Sequence, residues 1–189
     1  MKRVIDFVIA ALCLLIFSPL ILMCWLAIKI GGGPAIYKQE RIGLGGKPFY
    51  IYKFRSMVVD AEKEGEELLQ KEDDPRLTRI GRFLRAHHLD ELPQLWNVFI
   101  GDMAFVGPRP ERKYYIDQIM ARDPRYEQLY VLRPGVTSYA TLKNGYTDTI
   151  DKMLVRLGMD LYYLRHRSLW MDTKILWTTF AKIASGKIF

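Results

Sequence analysis

Cysteine is scarce in this chain of 189 residues, which has only Cys13 and Cys24. Both cysteines lie inside an apolar N-terminal segment that offers no polar metal ligands beside them. A disulfide framework or a structural zinc site therefore does not fit the sequence. Internal repeats and low-complexity stretches are also missing, and half of the residues are apolar, so the chain is long enough to bury a sizeable core.

A phosphate-binding loop of the Walker A type is missing as well. Gly45-Gly46-Lys47 comes close to such a loop, but Pro48 occupies the position that requires a serine or threonine hydroxyl. The glycine-rich range 41–48 instead predicts a hairpin turn. It would join a short strand at 35–37 to a strand at 49–54, whose aromatic and β-branched residues favour β-structure.

Negative charge is sparse in the first third of the chain, although the net charge of the whole is +7. Residues 1–57 carry eight lysines and arginines against two acids, whereas residues 58–75 carry eight acids against two lysines. This asymmetry predicts an anionic partner, which could be lipid headgroups, a pyrophosphate or nucleic acid. Arginines and aromatic residues do not form a base-stacking pattern, so we expect no nucleic-acid partner. The acidic stretch 59–72 predicts a solvated helix.

The range Phe7–Ile28 contains 22 residues, of which only Ser18 and Pro19 are not apolar. It is long enough for a membrane helix, and it is too long for a signal peptide. Pro19 has no N–H and should kink the helix, with Ser18 bonding a freed carbonyl. Because both flanks are basic, the positive-inside rule draws both ends toward the cytoplasm. A re-entrant hairpin over residues 1–30 and a kinked span both remain open on this reasoning.

Two later segments are amphipathic. In the range 76–85 Leu77, Ile80 and Leu84 share one helical face, and arginines recur every third position. Near the C-terminus a broad face combines tryptophan, leucine and phenylalanine, with lysines elsewhere. Each segment fits a helix lying on a membrane surface, and each also fits a helix packed on the core. Residues 31–189 as a whole read as one α-rich α/β domain.

Two adjacent carboxylates, Asp90 and Glu91, come just before a helical apolar pattern. The pattern predicts Asp90 as the helix N-cap, with Glu91 in the first turn. The start of a helix also stabilises phosphate groups, so the pair could meet a metal-neutralised pyrophosphate. Arg109 lies between two prolines, and such a rigid guanidinium suits a phosphate clamp. The neighbouring His87 and His88 have no third ligand at suitable spacing, so we expect no metal site there.

Eight short motifs follow one another along nearly the whole chain: Lys2-Arg3-Val4-Ile5-Asp6, Ser18-Pro19, Gln39-Glu40-Arg41-Ile42-Gly43, Tyr52-Lys53-Phe54-Arg55-Ser56-Met57, Leu89-Asp90-Glu91-Leu92-Pro93-Gln94-Leu95-Trp96-Asn97, Gly101-Asp102-Met103, Gly107-Pro108-Arg109-Pro110 and Arg133-Pro134-Gly135. In this order they resemble the motifs of the bacterial sugar transferases called monotopic phosphoglycosyl transferases. Several motifs are long enough that chance is a poor explanation.

The resemblance implies a two-step transfer. Asp90 would attack the β-phosphorus of a UDP-sugar, release UMP and carry the phosphosugar covalently. A polyprenol phosphate, usually undecaprenyl phosphate, would then accept the phosphosugar. This would be the first membrane step in assembling a glycoconjugate such as a capsule, O-antigen, exopolysaccharide or glycoprotein glycan. Mg²⁺ would neutralise the pyrophosphate, with Asp90 and Glu91 as its ligands.

The resemblance also implies where the substrates and the membrane lie. The N-terminal helix would re-enter the bacterial inner membrane, kinked at Ser18-Pro19, and would leave the active site on the cytoplasmic face. Membrane lipid would then be a partner, and the sequence leaves open whether the chain forms a homo-oligomer. The implied substrate-binding residues are Lys53, Arg55, Arg109 and Arg133.

The stretch 138–149 departs from the family pattern, with Ser138 in place of a glycine and Tyr146 in place of an arginine. We expect sugar specificity to lie in this stretch, and the sequence does not reveal which sugar is transferred. A different class of function is a non-catalytic membrane-anchored module. It would bind anionic lipid or polyprenol phosphate through Arg55, Arg109 and the arginine-rich helix, and it predicts no UMP release.

Overall fold

The computed structural model describes residues 1–59, 61, 74–145, 147 and 149–185. The predicted acidic helix at 59–72 lies outside these residues, apart from positions 59 and 61. The described part is a helix-rich α/β domain with two small sheets. Its helices and strands are α1 (Lys2–Ile30), β1 (Ile36–Ile42), β2 (Pro48–Phe54), α2 (Arg79–Ala86), α3 (Gln94–Ile100), β3 (Ala104–Val106), α4 (Lys113–Arg122), β4 (Gly135–Thr137), α5 (Tyr139–Asn144), α6 (Ile150–His166) and α7 (Leu169–Ala184).

The apolar N-terminal segment forms α1, which is assigned as one helix through Pro19. Pro19 leaves the carbonyl of Leu15 without its usual N–H donor. The hydroxyl of Ser18 donates to that carbonyl over 2.8 Å, which confirms the predicted role of Ser18. By length and composition α1 is able to cross a membrane.

The first sheet is the predicted hairpin of β1 and β2. The strands are antiparallel, with Ile36 opposite Phe54 and Ile42 opposite Pro48. The turn is tight because Gly45 and Gly46 adopt positive φ angles of 68° and 71°, which other residues rarely do. The hairpin is confirmed, and its first strand is longer than the predicted 35–37.

α3 is fixed to the free edge of the hairpin by Asn97, which is fully buried. Its side-chain nitrogen donates to the carbonyl of Tyr50 over 2.7 Å, and its oxygen accepts from the backbone N–H of Tyr52 over 3.0 Å. The asparagine thereby satisfies two backbone groups that would otherwise be unpaired. This contact sets the distance between β2 and the turn that precedes α3.

α2 packs closely on the chain that leaves β2. A Cβ added at Gly81 would lie 1.8 Å from the carbonyl oxygen of Ser56, so only glycine fits there. Thr78 caps the helix by accepting from the N–H of Gly81 over 2.9 Å. Leu84 is buried in a cluster with Phe54 and Ile28, so α2 faces the core as well as exposing a basic edge.

The second sheet pairs β3 with β4 in parallel, with Ala104 opposite Gly135 and Val106 opposite Thr137. These strands bring together two segments that are distant in the sequence. Elsewhere in the domain, α4, α6 and the 3-10 segment Pro124–Val131 form a buried cluster that includes Ile116 and Leu157.

α7 is the amphipathic helix expected near the C-terminus. Ile175 packs in the core, but Trp170 and Trp177 are 77% and 72% exposed, and Phe180 is also exposed. The alternative in which this aromatic face is buried in the core is therefore wrong.

Candidate active site

Asp90 lies in a single 3-10 turn, Leu89–Glu91, between α2 and α3. The turn begins at His88, the one non-glycine residue in the described part of the chain with a positive φ, 54°. The prediction that Asp90 caps the following helix is wrong, because α3 starts at Gln94 after Pro93. The strained turn instead holds the Asp90 side chain inside the protein, where it is 7% exposed.

Glu91 points toward the hairpin and meets Lys53 of β2. The lysine Nζ donates to a carboxylate oxygen of Glu91 over 2.6 Å. Because Asn97 fixes α3 to β2, this pair has a defined geometry. The structure thus brings together three of the predicted site residues, Asp90, Glu91 and Lys53.

The surroundings of Asp90 raise its pKa to about 6, so the side chain is still mostly ionised near neutral pH. Burial raises the pKa of Asp90 and the negative charge of Glu91 raises it further, although Lys53, Arg85 and His88 oppose the shift. Arg85 is held nearby, since its Nε donates to the hydroxyl of Ser56 over 2.9 Å. A carboxylate with a raised pKa has more basic oxygens than an ordinary aspartate once it is ionised.

The pKa of Glu91 is shifted in the opposite direction to that of Asp90. Burial alone would raise its pKa, but the charges of Lys53 and Arg109 and the hydrogen bond from Lys53 outweigh burial and lower the pKa of Glu91. Two neighbouring acids therefore have pKa values pushed in opposite directions. Such a division is a feature of sites in which two carboxylates carry different chemical roles.

The two carboxylates fit a magnesium ion that is shared with a substrate. Within the described residues no group of three or more His, Cys, Asp and Glu side chains is placed to enclose a metal ion. Mg²⁺ does not need such a cage, because proteins often hold it with one or two carboxylates while substrate phosphates and water complete the coordination. Asp90 and Glu91 provide that donor set.

Arg109 lies in the loop that follows β3. A Cβ added at Gly107 would lie 2.2 Å from the carbonyl oxygen of Arg133, so the two loops touch backbone to backbone. The N–H of Gly135 donates to the carbonyl of Pro108 over 2.9 Å. This packing holds Arg109 close enough to Glu91 for its charge to lower the pKa of Glu91. A phosphate clamp beside the acidic pair would need such a position.

Glu111 forms a second charged cluster that sequence reasoning missed. Its carboxylate accepts from Arg156 of α6, and Arg41 and Arg109 come within 3.9 and 4.0 Å. Arg156 also donates to the hydroxyl of Thr147. The only sequence signal was the position of Glu111 directly after the Pro108-Arg109-Pro110 motif. The ion pairs of Glu111 connect the Arg109 loop to β1 and α6.

The two remaining predicted substrate-binding arginines make contacts elsewhere. Arg55 donates to the carbonyl of Gly32 at the end of α1, and its buried Nε and Nη1 have no hydrogen-bond partner in the described part of the protein. Arg133 donates from Nε to the carbonyl of Gly101 over 2.8 Å. Arg55 therefore has two unpaired donors that are shielded from solvent, whereas Arg133 supports the end of α3.

The divergent stretch 138–149 contains α5 and its N-cap. Ser138, which replaces the glycine of the family pattern, accepts from the N–H of Thr141 over 2.8 Å. The substitution therefore stabilises a helix start. The role of this stretch in sugar specificity stays a prediction.

Comparison with known proteins finds a matching family and several similar proteins. The sequence profile described as bacterial sugar transferase matches residues 1–186. A protein of Caulobacter vibrioides named UDP-glucose:undecaprenyl-phosphate glucose-1-phosphate transferase is 46% identical over 182 residues, which is 94% of this chain and 67% of that protein. A protein of Aeromonas hydrophila named UDP-N-acetylgalactosamine-undecaprenyl-phosphate N-acetylgalactosaminephosphotransferase is 38% identical over 98% of this chain and 44% of its own length.

An Escherichia coli protein named UDP-glucose:undecaprenyl-phosphate glucose-1-phosphate transferase is 41% identical over 96% of this chain and 40% of its own length. The chain thus spans between two fifths and two thirds of these relatives. The match of the family profile to almost every residue is decisive for the family itself. The chain belongs to the bacterial sugar transferase family.

Proposed function

We propose that this chain transfers a phosphosugar from a UDP-sugar to a polyprenol phosphate such as undecaprenyl phosphate, with release of UMP. The observation that carries the proposal is the buried side chain of Asp90 next to Glu91, whose carboxylate accepts a hydrogen bond from Lys53 over 2.6 Å. The pKa values of the two acids are shifted in opposite directions, which supports different roles for them. The names of the relatives, which specify UDP-sugars and undecaprenyl phosphate, support the choice of substrates.

In the first step an oxygen of Asp90 attacks the β-phosphorus of the UDP-sugar. The bond from this phosphorus to the bridging oxygen breaks, UMP leaves with that oxygen, and the phosphosugar is bonded to Asp90. In the second step an oxygen of the polyprenol phosphate attacks the same phosphorus. The bond to Asp90 breaks, so the aspartate is regenerated and the product is a polyprenyl diphosphate sugar.

The other charged groups stabilise the phosphates. Lys53 and Arg109 surround Glu91 with positive charge, and Arg109 is the phosphate clamp. Asp90 and Glu91 would hold Mg²⁺, which when bound neutralises part of the diphosphate charge. The hydrogen bond from Lys53 favours the ionised form of Glu91, so Glu91 would still be able to hold Mg²⁺ when Asp90 carries the phosphosugar.

The membrane arrangement is part of the proposal. Both ends of α1 contact the same domain: Arg3 donates to the carbonyls of Val98 and Phe99 over 2.6 and 2.7 Å, and Ile28 packs with Phe54. A straight helix of this length is about 43 Å long and would carry one end across a hydrocarbon core of about 30 Å. We infer that α1 enters and leaves the membrane on the cytoplasmic side, bent at Ser18-Pro19. The exposed aromatic face of α7 would lie at the same surface.

Topology is tested by cysteine labelling in intact cells. Cys13 and Cys24 are replaced by serine, and single cysteines are introduced by Val4→Cys and Pro34→Cys, both at exposed positions. A membrane-impermeant reagent added outside should label neither position until the membrane is opened. Labelling of one position from outside would show that α1 spans.

The activity is tested by measuring UMP release from a panel of UDP-sugars, with and without added polyprenol phosphate. The membrane fraction should release UMP from at least one donor. When polyprenol phosphate is present, UMP release should continue over many catalytic cycles. Binding of polyprenol phosphate without UMP release from any donor would favour the non-catalytic membrane module.

A further inference from the structure

One face of the hairpin carries a row of polar side chains. Tyr37, Gln39 and Arg41 alternate along β1 with exposed residues, so the three share one face of the strand, where they are half-buried. Tyr37 lies directly opposite Lys53 of β2, so these two side chains project from the same face of the antiparallel pair. The row therefore begins beside the lysine that donates to Glu91.

The three side chains of this row are hydrogen-bonded one to the next, and we call them the hairpin relay. Gln39 donates from Nε2 to the hydroxyl of Tyr37 over 2.8 Å, and its Oε1 accepts from Nη2 of Arg41. Arg41 donates from Nη1 to the carbonyl of Pro110 over 3.0 Å. The hairpin relay thus runs from the lysine end of the hairpin to the backbone that follows Arg109.

The far end of the hairpin relay is held in place by a second contact. The backbone N–H of Ile42 donates to the carbonyl of Glu111 over 3.1 Å, so two successive carbonyls of the Arg109 loop are bonded to the end of β1. The side chain of Arg41 is only 16% exposed, and buried N–H groups need acceptors within the protein. Gln39 supplies one of these acceptors and thereby fixes the direction of the Arg41 guanidinium.

Lys53 and Arg109 approach the acidic pair from opposite ends of the hairpin. The four residue steps from 37 to 41 span about 13 Å of extended strand. Lys53 donates to Glu91, and the charge of Arg109 lowers the pKa of Glu91, so the two long side chains converge on one carboxylate. The hairpin therefore sets the separation of the two cations. A diphosphate held between them would be sensitive to that separation.

We propose that the hairpin relay positions Arg109 relative to Lys53 for the diphosphate of the UDP-sugar, with Gln39 as the central positioning residue. The inference rests on the proposed function, since it concerns how the donor of that reaction is held. Gln39 acts through Arg41 and the carbonyl of Pro110, without touching the reacting atoms itself.

The test removes the hydrogen bonds of Gln39 and keeps the size of its side chain. Gln39→Met lacks the amide that bonds Tyr37 and Arg41. Glu40→Met is the matched control, because it places the same side chain at the next residue of β1, which is exposed on the opposite face. The full chain is reconstituted in lipid nanodiscs, and circular dichroism checks its fold. Isothermal titration calorimetry measures binding of UDP with Mg²⁺, and UMP release gives kcat/KM for the UDP-sugar.

Gln39→Met should lower kcat/KM by about 10- to 100-fold, the scale on which a misplacement of about 1 Å slows a reaction, and should weaken UDP binding about tenfold. Glu40→Met should change neither quantity. Gln39→Glu keeps an acceptor for Arg41, so it should stay within about threefold of the wild type in both measurements. Wild-type values in Gln39→Met would overturn the inference. Equal losses in Gln39→Glu and Gln39→Met would overturn it too, because the bond to Arg41 would then be irrelevant.

A double-mutant cycle shows whether Gln39 acts through Arg109. UDP binding is compared in the wild type, Gln39→Met, Arg109→Ala and the double variant. Gln39→Met should weaken UDP binding by less than about twofold once Arg109 is replaced, because there is no longer a guanidinium to position. A loss of about tenfold in both backgrounds would overturn the inference and leave the proposed function intact.

The binding measurement also separates this inference from the proposed function, because it needs no turnover. If the wild type binds UDP but releases no UMP from any donor, the proposed function fails, and the double-mutant cycle still decides whether Gln39 positions Arg109. Absence of UDP binding by the wild type would overturn the proposed function and the inference together.

Discussion

Asp90 and Glu111 are both buried acids, 7% and 5% exposed, but their surroundings differ. Glu111 is enclosed by Arg41, Arg109 and Arg156, all within 4.0 Å. Around Asp90, burial and the charge of Glu91 together outweigh the nearby cations, so the pKa of Asp90 is raised. Burial is therefore not what distinguishes the two acids. Three guanidinium groups lie within 4.0 Å of Glu111, which suits a structural role, whereas Asp90 is the acid that we propose as the nucleophile.

The largest loss of activity should come from replacing Asp90, the proposed nucleophile. Asp90→Asn should lower UMP release by about 10⁴-fold, on the scale of losing a covalent nucleophile, while circular dichroism shows a folded protein. Asp117→Asn, on an exposed carboxylate of α4, is the matched control and should keep wild-type activity. A folded Asp90→Asn variant with normal turnover would refute the assignment.

Removal of divalent metal should lower activity at the Asp90 site but should not change the stability that the Glu111 cluster provides. Excess EDTA should lower UMP release by at least about 10²-fold, because the diphosphate charge would no longer be neutralised, and Mg²⁺ should restore it. The unfolding temperature without substrate should stay the same, since guanidinium groups neutralise Glu111 without a metal ion. Full activity in EDTA would contradict the magnesium role.

The Glu111 cluster should affect stability rather than activity. Glu111→Gln should lower the free energy of unfolding by about 3 kcal/mol, because it leaves buried guanidinium groups without a counter-charge. Denaturant unfolding followed by circular dichroism measures the change. Glu127→Gln, at an exposed glutamate, should stay within about 0.5 kcal/mol of the wild type. Equal stability of the two variants would mean that the Glu111 cluster does not hold the fold.

Local chemistry was enough to predict several elements. The hairpin followed from glycines that tolerate positive φ and from flanking residues with high β-propensity. The apolar N-terminal helix followed from its length, and the bond from Ser18 to the Leu15 carbonyl followed from the missing N–H of Pro19. These features depend on neighbours in the sequence, which is why the sequence was sufficient.

Features that depend on distant contacts escaped prediction. Asp90 was expected to cap a helix, but the chain forms a strained turn at His88 and delays the helix to Gln94. The parallel pairing of β3 with β4 joins strands of three residues each, too short to give a periodic pattern. The pair of Glu111 and Arg156 spans 45 residues, and no local signal marks it.

The proposed mechanism requires Asp90 to become covalently bonded to phosphorus during turnover. The most direct measurement is to incubate the protein with a UDP-sugar in the absence of polyprenol phosphate, quench it, and locate any added mass by peptide mass spectrometry. We expect a phosphosugar adduct on the peptide that contains Asp90, and we expect the adduct to be lost when polyprenol phosphate is added. Release of UMP without an adduct, or an adduct on a different residue, would show that Asp90 is not the covalent nucleophile.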